Sequence, residues 1–152
     1  MNKKIFLASV AFALGSGFTF NAFAQAKPDV LVKQRQAAMT LQGKYFGPLG
    51  GMAAGRVPFN ATLVARNAGY LEVLAKLPWD GFDASTSGEK SGALPAIYSE
   101  PAKFKEASEA LQTATTHLVT AAKGGNEADI KVAIGAVGKS CGGCHDNFRA
   151  KP

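Results

Sequence analysis

From Pro28 onward the apolar residues recur at intervals of three and four and never settle into alternation. A period near 3.6 builds helices, whereas strands need a period of two, and no run of alternating β-branched residues occurs anywhere. The chain is thereby restricted to an all-helical fold. Four segments carry the pattern. The first spans about Pro28 to Ala54, with Pro28 suited to a first turn, Val32, Ala38, Met39 and Leu41 on its apolar positions and Gly55 as a stop. Gly47-Pro48 predicts a kink near Leu49. The second runs from about Asn60, a capping residue, to Lys76, with Pro78 ending it. Its face is Leu63, Val64, Asn67, Leu71 and Leu74, Asn67 being the polar exception.

Residues 77–99 hold three Gly, two Pro and four Ser, so they read as a long connection. They also hold the only Trp, Trp79, with Phe82 three residues on, so the connection is expected to pack. The third helix is expected from Ser99, with Pro101 in its first turn and Phe104, Ala107, Leu111, Ala114, Leu118 and Ala121 on its face. Gly124-Gly125 ends it. Asn126 caps the fourth, in which Ile130, Ala133, Ile134, Val137 and Cys141 follow, to about Arg149. Short links between the first and second and between the third and fourth helices, with a long crossover between, predict an antiparallel four-helix bundle.

The N-terminus has another character. Lys3 and Lys4 precede an uncharged stretch over 5–20, and Ala22-Phe23-Ala24 forms a small-x-small cleavage site. This is the layout of a secretory signal over 1–24, leaving a domain at 25–152 exported to the periplasm. The alternative, a membrane anchor, is disfavoured by the Gly15-Ser16-Gly17 interruption and the short apolar length, so no stable membrane insertion is expected. Removing the leader leaves fifteen basic against eleven acidic residues, a net charge of +4 with no basic cluster, which does not suit nucleic acid.

The chemistry is concentrated in Cys141-Gly142-Gly143-Cys144-His145. C-x-x-C-H is the attachment pattern of c-type haem. Each thiol adds across one haem vinyl group to give a thioether, and the adjoining His is placed beneath the iron as its axial ligand. One covalent haem c per chain is expected, and export is consistent with it. Three alternatives compete. A redox C-x-x-C would sit at a strand-to-helix junction, and no strand is in view. A structural disulfide is disfavoured by the tight spacing. A zinc site needs a fourth ligand, and His117 is the one remaining His. His117, among Thr115, Thr116 and Thr120, reads as a surface or half-buried residue, with ligation of the iron from the distal side as its other possibility.

A haem motif on the last of four helices resembles the class II cytochromes c, and the cytochromes c′ in particular. The resemblance is carried by Arg35-Gln36-Ala37-Ala38-Met39-Thr40, by Tyr45-Phe46-Gly47-Pro48, by Leu77-Pro78-Trp79 with Phe82, and by the segment from Ser140 to Arg149. It implies that Cys141 and Cys144 hold the haem and His145 ligates the iron. It places Arg35 and Gln36 on the propionates, Trp79 and Phe82 along the crevice, and Arg149 beside the proximal face. It sets Met39 opposite His145, where it acts either as an apolar gate over a five-coordinate iron or as the sixth ligand. The first role implies a protein that binds NO and CO; the second, a low-spin electron carrier. No distal His/Arg pair for peroxide cleavage is seen, so a non-enzyme is expected. The resemblance further implies a homodimer built from the first two helices, with Tyr45, Leu49 and Met52 as contact candidates, and possible redox protein partners.

Overall fold

The computed structural model describes residues 26–151, so the expected leader over 1–24 lies outside the described residues. Its elements are α1 (Pro28–Ala53), α2 (Ala61–Leu74), two 3-10 turns (Trp79–Phe82 and Ala84–Thr86), a short α3 (Ala96–Ser99), α4 (Pro101–Gly124) and α5 (Glu127–Phe148). The four long helices form an antiparallel bundle in which α1 packs on α2, α2 on α4, α4 on α5 and α5 on α1. At 1.5 Å per residue they are about 21–39 Å long.

Local signals account for most helix ends. Asn60 Oδ1 accepts the Leu63 N–H at 2.8 Å, and Asn126 Oδ1 accepts those of Ala128 and Asp129 at 2.9 and 3.1 Å. Gly55 and Gly125 follow α1 and α4 at φ +70° and +74°, a left-handed turn that glycine makes without a Cβ clash. The kink expected at Gly47-Pro48 does not interrupt α1, which stays helical through Pro48 to Ala53. Ser99 does not open the third long helix. It ends α3, and α4 begins at Pro101, whose missing N–H costs nothing in a first turn.

The core is built from Leu49, Met52, Val64, Leu71, Leu111, Leu118, Ile130, Ile134 and Val137. Two buried amides join α1 to α2. Gln42 Nε2 donates to the Leu74 carbonyl at 2.9 Å, and Asn67 Nδ2 to the Tyr45 carbonyl at 3.0 Å. Asn67 breaks the apolar pattern of α2 because it satisfies a neighbouring helix. Leu49 is fully buried and Met52 4% exposed, so neither is free to contact a partner. The resemblance offered them as contacts, with bundle core as the other reading, and the bundle turns them inward. Tyr45 is half-buried, with its ring 4.8 Å from that of Tyr70.

The crossover packs, as its aromatics require. Trp79, Phe82, Phe104 and Phe148 form a chain of ring contacts with centroids 4.9–6.3 Å apart. Trp79 Nε1 donates to the Ala75 carbonyl at 2.6 Å. Beyond Phe148 the chain leaves the helix and pairs with the crossover. Leu94 N–H donates to the Phe148 carbonyl at 3.0 Å, and Ala150 N–H to that of Gly92 at 2.8 Å. Arg149 is therefore extended, not a further helical turn, because the crossover captures the backbone on both sides of it.

Candidate functional site

Cys141, Cys144 and His145 stand on one face of α5, three and four residues apart. All three border a deep cavity of about 250 Å³ in the middle of the bundle. α1 contributes Met39, Gln42, Gly43 and Phe46 to its wall, α2 contributes Leu71, and α4 contributes Leu111 and Thr115. An outer cavity of about 450 Å³ adjoins it, sharing Met39, Cys144, His145 and Arg149 and adding Arg35, Gln36, Phe82 and Ser91. The sequence candidates thus converge. Trp79 borders the deep space, Phe82 the outer one, and Met39 and His145 both. His117 is exposed on α4 and borders neither cavity, which removes it as a distal ligand.

Arg35 is 3% exposed, and its guanidinium meets only neutral oxygens. Nη1 donates to the Gly81 carbonyl at 2.6 Å and to Thr86 Oγ1 at 2.8 Å, and Nη2 to Ser91 Oγ at 2.9 Å. The charge also lies 4.4 Å from the centre of the Phe82 ring. Thr86 Oγ1 donates in turn to the Asp83 carbonyl at 2.7 Å and pairs with the Tyr98 hydroxyl at 2.9 Å. Among the described residues no carboxylate pairs with Arg35. A buried cation without an anion is costly, and three bonds leave two of its five donors for an acidic group in the outer cavity. Gln36, one residue on, is exposed at that cavity's edge.

Burial pushes both thiols up, and Cys141 adds to the effect at Cys144. The His145 imidazole is pushed down, by burial first and then by the Arg149 charge, against a smaller opposing effect of Asp146. The folded chain therefore favours the neutral imidazole, the form that binds a metal. Cys141 and Cys144 are not joined to each other. Among the described residues no cluster of three or more His, Cys, Asp or Glu is placed to hold a metal ion, which counts against the zinc reading.

These residues fit a covalent haem: two thiols and an imidazole on one wall, a largely apolar space deep within, and a buried guanidinium without a carboxylate partner at the outer cavity. The fold and site define a bundle-type c-type haem protein. Comparison with known proteins narrows the class. The family model described as Cytochrome C′ matches residues 30–149. The cytochrome c′ of Rubrivivax gelatinosus is 40% identical over 126 residues, which are 82% of this chain and 98% of that protein. Among solved structures, a nitric oxide complex of a cytochrome c prime variant from Alcaligenes xylosoxidans superposes with a TM-score of 0.77 at 38% identity, covering 84% of this chain and 99% of that one. Cytochrome c prime from Shewanella frigidimarina gives 0.80 at 34% identity, covering 84% and 99%. The chain belongs to the cytochrome c′ family, and its cofactor is covalently bound haem c.

Sequence reasoning left several wall residues out. Gln42, Leu71, Thr115 and Val137 enter the site only through bundle packing. Gly81, Thr86 and Ser91, which hold Arg35, carry no signal beyond turn composition. Gln42 had one: an amide on the core side of a helix needs a buried partner.

Proposed function

We propose that this chain is an exported, periplasmic haem protein whose iron, held by His145, stays open on the Met39 side and takes NO or CO. Haem iron supplies the redox-active, gas-binding centre; the protein supplies the selection. The observation that carries the reading is the lining of the deep cavity. Leu71, Ala75, Leu111 and Val137 make the inner part apolar, Gln42 and Thr115 donate to backbone carbonyls, and the one cation, Arg149, stands where the outer cavity adjoins, so the interior favours a neutral diatomic over nitrite or water. Met39 stands at the boundary of both cavities, where an unbranched thioether fills space and yields to a small ligand. Cys141 and Cys144 anchor the group, Arg35 and Gln36 hold the propionates, and Arg149 lies beside His145. In this reading the protein binds gas and passes electrons without being an enzyme.

A second reading is a six-coordinate electron carrier with Met39 as sixth ligand. It rests on the position of Met39 beside the same two cavities as His145. Visible absorption of the reduced protein, with and without CO, decides between them. A broad high-spin spectrum that shifts with CO supports the open iron. Sharp low-spin bands without a CO response sink it in favour of the carrier.

A homodimer through α1 and α2 remains part of the proposal, with different contacts. Leu41, Tyr70, Val73 and Leu77 are exposed on those helices or just past them, and Val73 reaches 58%. Sedimentation of Val73→Glu, compared with the unsubstituted protein, tests that face. An unchanged dimer would exclude it.

A further inference from the structure

Gly43 lies mid-way along α1, is exposed, and still borders the deep cavity. A Cβ built there meets nothing within 4 Å. Glycine weakens a helix interior relative to alanine, so a glycine that no neighbour forces is a cost without a packing return. Gly81 is the contrasting case, because its Cβ would lie 2.8 Å from Arg35 Cβ. The other helical glycines with open surroundings, such as Gly47, Gly69 and Gly135, do not border this cavity.

The flanking side chains define an opening. Met39, four residues earlier, and Phe46, three residues later, share the face of Gly43. The Phe46 ring lies against α5, with its Cζ 3.2 Å from a Cβ built on Gly138, and closes the wall there. Met39 closes it where His145 borders the same cavity. Between them Gln42 is buried, its amide held by the Leu74 carbonyl, and at Gly43 alone the exposed side of the α1 wall has backbone and no side chain.

We propose that Gly43 is the portal by which small neutral ligands enter and leave the deep cavity. This rests on the gas-binding reading above and adds the route to it. A portal changes the barrier and not the end states, so closing it slows entry and exit by the same factor and leaves affinity unchanged. A side chain at position 43 leans toward the helix N-terminus, over the turn that carries Met39.

The test uses the haem-loaded full chain with Gly43→Leu and Gly43→Phe, both better helix formers than glycine. Flash photolysis and stopped-flow are expected to show CO association and dissociation both slowed about tenfold or more, the effect of a barrier higher by a single decade in rate. Gly135→Leu, exposed on α5 away from the cavity, is expected to keep the original rates. Crystals pressurised with xenon supply a readout independent of the iron. Xenon is expected beside Gly43 in the unsubstituted protein and absent there in Gly43→Phe. Unchanged CO rates in both variants, a change in affinity in place of parallel rates, or xenon entering elsewhere overturns the portal. Failure of the unsubstituted protein to bind CO overturns the open-iron reading instead, and the xenon sites then decide the portal alone.

Discussion

Replacing Arg35 by Met keeps an unbranched chain in the site and removes the guanidinium. Three hydrogen bonds and one ring contact go with it. Their losses are unequal. The carbonyl of buried Gly81, now 2.6 Å from Nη1, is left bare, at a cost of about 1–3 kcal/mol. Ser91 is half-buried and open to water, and Thr86 keeps Asp83 and Tyr98, so these two lose little. The cation on Phe82 contributes about 0.5–2 kcal/mol. A net loss of about 2–4 kcal/mol follows, a fall in Tm of about 8–16 °C for a domain of this size. Circular dichroism of the haem-loaded protein measures the midpoint, and hydrogen exchange over residues 79–92 reports whether the crossover loosens. Arg35→Lys keeps the charge for the outer cavity but lacks the fork that spans three acceptors, so the crossover should loosen while the haem spectrum holds. A fall of less than about 3 °C in Arg35→Met, with unchanged exchange in the crossover, would refute the claim that Arg35 ties the crossover to α1.

Gly81→Ala places a Cβ 2.8 Å from Arg35 Cβ and 2.9 Å from the Leu31 carbonyl, neither of which is a flexible end, so urea unfolding should register a loss of about 1–3 kcal/mol. Asn126→Ala strips the cap from α5 and should cost about 1 kcal/mol in the same assay, with Asn126→Asp restoring most of it. Asp83 is held below the 3.8 of a free aspartate by hydrogen bonding from Ser85, side chain and then backbone N–H. A lowered folded value means that its stabilisation is complete above the unfolded value and lost as pH falls through the folded one. Its NMR titration should therefore have a midpoint under 3.8, and the turn at Ala84–Thr86 should loosen only on further acidification. A midpoint at or above that value would contradict the geometry.

The sequence by itself determined the helices and the attachment chemistry. Spacings of three and four are local, and so are the caps at Asn60 and Asn126, because each hydrogen bond spans at most three residues. Cys141, Cys144 and His145 are fixed on one helical face by their spacing alone. The resemblance to known cytochromes brought Arg35, Gln36, Met39, Trp79 and Phe82 to the same site, although no local rule joins residue 35 to residue 145. What only the tertiary structure decided is which side of each helix meets which neighbour. Leu49 and Met52 looked available for a partner and are core, because α1 turns that face toward α2 and α5. Arg149 read as a continuation of α5 and is extended, because backbone pairing with residues 92–94 outcompetes one more helical turn. The partners of Arg35 lie 46–56 residues away in a segment whose composition says only that it turns. A helix is legible in sequence because its bonds close over a few residues. A cavity wall is not, because it is assembled from four helices whose relative rotation depends on all of the packing at once.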